Sequence, residues 1–135
     1  MALNADKSFS ERDGDYVALE VKEGETIFSG SLVCLENGLA IAAKTATNLT
    51  AVGVAVEHID ASDSGQFVNV KKGIFLFMNS SGNDEITAAD IGKDCYVVDD
   101  ETVAKTDGDT GGGATRSVAG KVFDVEENGV WVDLR

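Results

Sequence analysis

An all-β fold, a small β-barrel or β-sandwich of short antiparallel strands and hairpins with one short helical turn, is what this chain predicts. Three observations carry that reading. Apolar residues alternate with polar ones in short runs, as in Tyr16-Val17-Ala18-Leu19-Glu20-Val21, which is the period of a half-buried strand. The runs are separated by turn-forming clusters such as Glu36-Asn37-Gly38 and Glu127-Asn128-Gly129. No segment shows a sustained helical period, and the 15 glycines with no proline mean that turns here are made with glycine.

In chain order, residues 1–14 are polar and without period, and they predict a mobile arm or one that orders on a partner. Residues 15–135 then read as one β domain. Asp15 to Val21 is a strand with Val17, Leu19 and Val21 on one face, followed by a turn at Lys22–Glu25. Ser31–Leu35 and Leu39–Ala43 flank Asn37-Gly38, a pair suited to a type I′ hairpin because both central residues need positive φ. Leu32, Val33 and Leu35 make that strand apolar on both faces, so both sides need a cover.

Leu49 to His58 is the next strand, with Val52, Val54 and Val56 expected on one face and the small Ala51, Gly53 and Ala55 on the other. Gln66 to Met78 is the longest β candidate, broken at Lys71-Lys72-Gly73. Beyond the break, Ile74, Leu76 and Met78 point one way and Phe75 and Phe77 the other. Thr106–Thr115 is a Gly-rich flexible loop. Arg116–Val125 and Val130–Leu134 flank a second Asn-Gly hairpin, with Val130, Val132 and Leu134 inward and Trp131 outward. The total is about nine strands and no amphipathic helix.

Charge and composition exclude several function classes. There are 24 acidic and 11 basic residues, a net charge of −13. That opposes nonspecific nucleic-acid binding, which needs cations to displace counterions, and it opposes docking on anionic membranes. No apolar run reaches the roughly 20 residues of a membrane span, and MALNADKSFSERDGD has none of the apolar stretch of a signal peptide. Cys34 and Cys95 each lie in an apolar strand pattern, which predicts buried free thiols. Two isolated cysteines and one histidine make no standard zinc site.

No catalytic constellation or cofactor site emerges. His58 could be imagined with Ser62 and Asp60 or Asp63, but no nucleophile elbow accompanies them. Asp107-Gly108-Asp109-Thr110-Gly111 begins like a calcium loop and fails it, because Val118 stands where the bidentate acid belongs. Asp99-Asp100-Glu101 reads as ordinary turn chemistry.

The remaining stretch is Ile86–Lys105, ITAADIGKDCYVVDDETVAK. Thr87 is an N-cap with Asp90 three residues on, Gly92 ends the helical turn, and Asp94–Val98 and Thr102–Lys105 form a hairpin. This pattern, I-T-x-A-D-I-G-K-x-x-Y-x-V-D-D-x-T-V followed by a Gly-rich loop and a final hairpin, resembles capsid decoration (cement) proteins of tailed bacteriophages and prophages. The resemblance covers most of residues 16–134. It implies a non-enzymatic virion protein on the outer head surface, made in the host cytoplasm, which binds the major capsid protein and stabilises capsomer contacts. It also implies a homotrimer. Because their strands are apolar on both faces, Leu32, Val33, Leu35, Phe75 and Phe77 are candidates for the subunit interface, and the arm that decoration proteins use makes Asp6, Lys7, Phe9 and Arg12 candidates for capsid binding. The alternative is a non-catalytic tail or baseplate component, or a carbohydrate-binding β module.

Overall fold

The computed structural model describes residues 2–8, 10–12 and 14–135. Its strands are β1 (Tyr16–Glu20), β2 (Thr26–Ile27), β3 (Leu32–Glu36), β4 (Leu39–Ala42), β5 (Thr50–Ala55), β6 (Ile59–Asp60), β7 (Phe67–Lys71), β8 (Ile74–Phe77), β9 (Asp94–Val97), β10 (Val103–Ala104), β11 (Val118–Glu126) and β12 (Gly129–Asp133). Among the described residues there is no α-helix, only two 3-10 turns, Gly82–Asp84 and Ala88–Asp90. The all-β expectation is met, with twelve strands in place of about nine. The excess comes from β2 and β6, which are too short to show a period, and from the division of Gln66–Met78 into β7 and β8.

Two five-stranded antiparallel sheets organise the chain: β1-β7-β5-β3-β4 (sheet 1) and β10-β9-β11-β12-β8 (sheet 2). A two-stranded ribbon, β2-β6, lies beside them. Each sheet curls until its two edges meet through one parallel bridge, Val21 with Ala40 and Met78 with Thr102. Neither ladder continues from its bridge, so there is a pair of packed sheets and not a closed barrel.

The chain has two cores, and β3 is the wall between them. Leu32 and Cys34 enter the core between the sheets, together with Ile41, Phe77, Val97, Val122, Val130 and Val132. Val33, with the partly buried Leu35, enters the core inside sheet 1, together with Ile27, Ala40, Val68 and Val70. β4 divides in the same way, Ile41 to one side and Ala40 to the other. The expected cover on both faces of β3 is present within one chain, and Leu32 and Val33, candidates for a subunit interface, are instead wholly buried in it.

The expected facing of β5 is also corrected. A bulge opposite Val33–Cys34 leaves Val52 without a register partner. Beyond it the alternation slips by one, so Val52 and Ala55 join the sheet 1 core, whereas Ala51 and Val54 pack toward the inter-sheet core. Gly53 permits the distortion, since a Cβ there would collide with the Lys71 carbonyl and stand 2.8 Å from Val70 Cγ1.

The Asn37-Gly38 hairpin is as expected, with φ of 51° and 84°. The second Asn-Gly pair is not a type I′ turn. The turn is Glu127-Asn128, and Gly129 already pairs with Glu126 in the ladder. Its glycine serves close approach, because a Cβ there would strike the Phe77 carbonyl. Gly73 breaks the Gln66–Met78 run as expected, at φ 156°. The break sends β7 and β8 to different sheets.

Candidate functional site

The Ile86–Lys105 stretch folds as a joint between the sheets. Asp90 is buried, and its Oδ2 accepts the Thr87 N–H at 2.8 Å, closing the first half of the capping box. Gly92 takes the left-handed conformation at φ 88° and hands the chain to β9. The acidic turn is not a free tip. The Asp100 carbonyl accepts the Leu32 N–H at 2.8 Å, and its carboxylate accepts the Ser31 hydroxyl at 3.1 Å. A second tie comes from Ser117, whose Oγ donates to the Ala46 carbonyl and accepts the Leu49 N–H. Neither Ser31 nor Ser117 carried a sequence signal, because a lone serine in a strand flank looks the same whether or not it bridges two sheets.

Around this joint the acid-base candidates are dispersed. His58 Nε2 lies 3.2 Å from Asp60 Oδ2, and its ring meets the Phe28 ring edge-on at 5.1 Å. The Thr26 hydroxyl, and then His58, hold the Asp60 carboxyl below its ordinary value. Ser62 and Asp63 make no bond to His58. Asp107 and Asp109 turn their carboxylates onto the backbone N–H groups of their own loop. No group of three or more histidine, cysteine or acidic side chains among the described residues could hold a metal ion. Cys34 and Cys95 are free and buried. Burial pushes both thiols up to about 12, so neither is a nucleophile near neutrality. No helix of the described residues is long and apolar enough to cross a membrane.

The residues expected at a subunit interface are placed differently from one another. Leu32 and Val33 are core, and Leu35 is partly covered by the sheet 1 core. Phe77 is buried between the sheets, and Phe75 packs against it as a partly buried neighbour. The exposed face of β8 is the opposite one, at Leu76 and Met78. Trp131 stands beside Leu76 in the register. A bulge in β11 between Val122 and Asp124 brings Val125 back to the core and leaves Phe123 and Asp124 outside. Ile74, Phe123, Asp124 and Trp131 thereby line a shallow depression on the outer face of sheet 2. Phe123 is 53% exposed and Leu76 41%, so this face is wet apolar surface. Sequence alternation located Trp131 but not Phe123, since the bulge leaves no mark in composition.

Of the arm candidates, Asp6, Lys7 and Arg12 are exposed, belong to no strand, and enter no ion pair among the described residues. Phe9 lies outside the described residues.

No family model, no curated protein and no solved structure matches this chain.

Proposed function

We propose that this chain is a structural virion protein that binds the outer surface of a phage head and stabilises contacts between capsomers. Its partner is the major capsid protein, and its working form is a homotrimer. The observation that carries the reading is the Ile86–Lys105 pattern with its resemblance to decoration proteins. Two features support it. Exposed and mostly polar residues 2–8 and 10–12 precede the first strand and offer a segment able to reach a neighbour. An acidic exterior, at net charge −13, keeps an abundant coat component soluble and apart from the packaged nucleic acid.

The test is sedimentation of the purified protein with expanded heads of the phage or prophage that encodes it. Saturable co-sedimentation, weakened when residues 1–12 are removed, is the expected result. Failure of the full chain to bind expanded heads overturns the proposal. A carbohydrate-binding module is the second reading, favoured by Phe123 and Trp131 standing beside Asp124 on an open face. Saturable glycan binding that changes Trp131 fluorescence, without head binding, selects it.

A further inference from the structure

The backbone of β8 carries an open edge whose occupant can be described. β12 pairs with one side of β8, from Val130 with Phe77 to Asp133 with Ile74. The Leu134 N–H donates to the Gly73 carbonyl at 2.7 Å, which sets the phase of the ladder. Residues 73, 75 and 77 therefore turn their N–H and C=O toward β12, and residues 74, 76 and 78 turn theirs away. Met78 agrees: on the side away from β12 its N–H donates to the Glu101 carbonyl at 2.8 Å, and its carbonyl accepts the Val103 N–H at 3.0 Å. At the other end the Lys72 N–H donates to the Asp15 carbonyl at 2.8 Å. Between these closed ends, Ile74 and Leu76 have outward N–H and C=O groups with no partner among the described residues.

Another edge, that of β4, is guarded. β4 is capped where the Glu25 carboxylate accepts the Ala42 N–H at 3.0 Å and the Lys22 N–H donates to Ala40. β1 also turns the backbone groups of Tyr16, Ala18 and Glu20 away from β7 with no backbone partner among the described residues, but it carries the charge of Glu20, which deters pairing. β8 reads Ile-Phe-Leu-Phe with no charge, and its exposed Leu76 continues into the Phe123–Trp131 face.

We propose that the open edge of β8 is a strand-addition site for a short extended segment of another protein, with apolar residues at alternate positions and basic residues between them. The backbone groups of Ile74 and Leu76 take up to four hydrogen bonds, and the half-buried Ile74 and exposed Leu76 side chains meet the apolar side chains of the added strand on one face. Charge selects the sign of the partner. Glu101, whose carbonyl closes the end of the edge at Met78, is in no ion pair among the described residues. A second copy of this chain would bring another −13 to the same place, whereas a basic strand is attracted. The inference stands apart from the capsid reading, which it extends by a mode of contact.

The test uses the full chain and a capped synthetic hexapeptide alternating valine with lysine and threonine. Trp131, the one tryptophan, is the reporter. The expected result is saturable binding with a Kd below about 1 mM, slowed hydrogen exchange at Ile74 and Leu76, and weaker binding when glutamate replaces lysine in the peptide. Leu76→Pro removes an N–H that β12 does not use, and weakens binding by about tenfold or more. No saturation, an unchanged affinity in Leu76→Pro, or equal binding of the fully N-methylated peptide overturns the proposal. Self-association that Leu76→Pro abolishes also overturns it, by making the occupant a second copy. Should Leu76→Pro fail to fold, the N-methylated peptide on the unaltered chain decides. Failed peptide binding with intact head binding removes this inference alone, and the converse removes the capsid reading alone.

Discussion

Gly53 and the two cysteines show how differently single positions act here. Gly53 matters through space. Its φ is not positive, yet a Cβ would meet the Lys71 carbonyl and Val70, so Gly53→Ala should cost about 2–4 kcal/mol in urea unfolding by forcing strands β5 and β7 apart. A loss under about 0.5 kcal/mol would mean that the bulge relaxes freely. The cysteines matter through solvation. Burial raises both thiols from 9.0 to about 12. The folded state thus holds its thiol protons more tightly than the unfolded state. The stabilisation is complete below the unfolded pKa and is lost as pH rises toward the folded one, at about 1.4 kcal/mol per pH unit per thiol. Denaturation between pH 8 and 11 should show this decline, and Cys34→Ala with Cys95→Ala should flatten it. An equal slope in that variant would assign the decline to other groups.

At the scale of elements, legibility in the sequence followed the range of the interaction. The Thr87–Asp90 cap, the Gly92 terminator and the Asn37-Gly38 turn are written within four residues, and each stands as read. The bulges at Val52 and Phe123 answer to the strand opposite. No local pattern announces them, so the facing of Val54 and the exposure of Phe123 were hidden. The same holds for the candidate interface. Alternation assigned Phe75 and Phe77 to one face correctly, but only the partner sheet decides that this is the inner one. Asp90 gives a test at this scale. Its carboxylate, 7% exposed, caps the second 3-10 turn and lies 3.9 Å from Lys105 Nζ. Asp90→Ala should cost about 2 kcal/mol by orphaning the Thr87 N–H. Asp90→Asn, which keeps an acceptor, should cost visibly less, and equal losses would locate the effect in charge.

For the whole molecule, the shared wall makes the two cores one cooperative unit. Leu32→Ala opens the inter-sheet core and Val33→Ala the sheet 1 core. The losses should be about 3 kcal/mol and about 2 kcal/mol in that order, each in a single transition. Trp131 fluorescence, which reports on sheet 2, should coincide with hydrogen exchange at Val68 and Val70 in sheet 1. Separate transitions would divide the molecule at β3.

Assembly is the remaining question at this scale, and the burial of β3 changes how it is tested. A homotrimer rests on the resemblance to decoration proteins, since the apolar faces of Leu32–Leu35 are satisfied within one chain. The expected mass by light scattering at micromolar concentration is three times 14.1 kDa. Phe77→Asp does not probe that assembly, because it places a charge at a site 4% exposed and should unfold the protein outright. Leu76→Asp is the informative change: at 41% exposed its carboxylate stays hydrated, and the fold should tolerate it. A trimer that survives Leu76→Asp leaves the β8 edge free for another protein. A trimer that dissolves into folded monomers in Leu76→Asp places the subunit contact on β8. A wild type that is a monomer throughout removes the trimer, and capsid binding would then have to be carried by single copies.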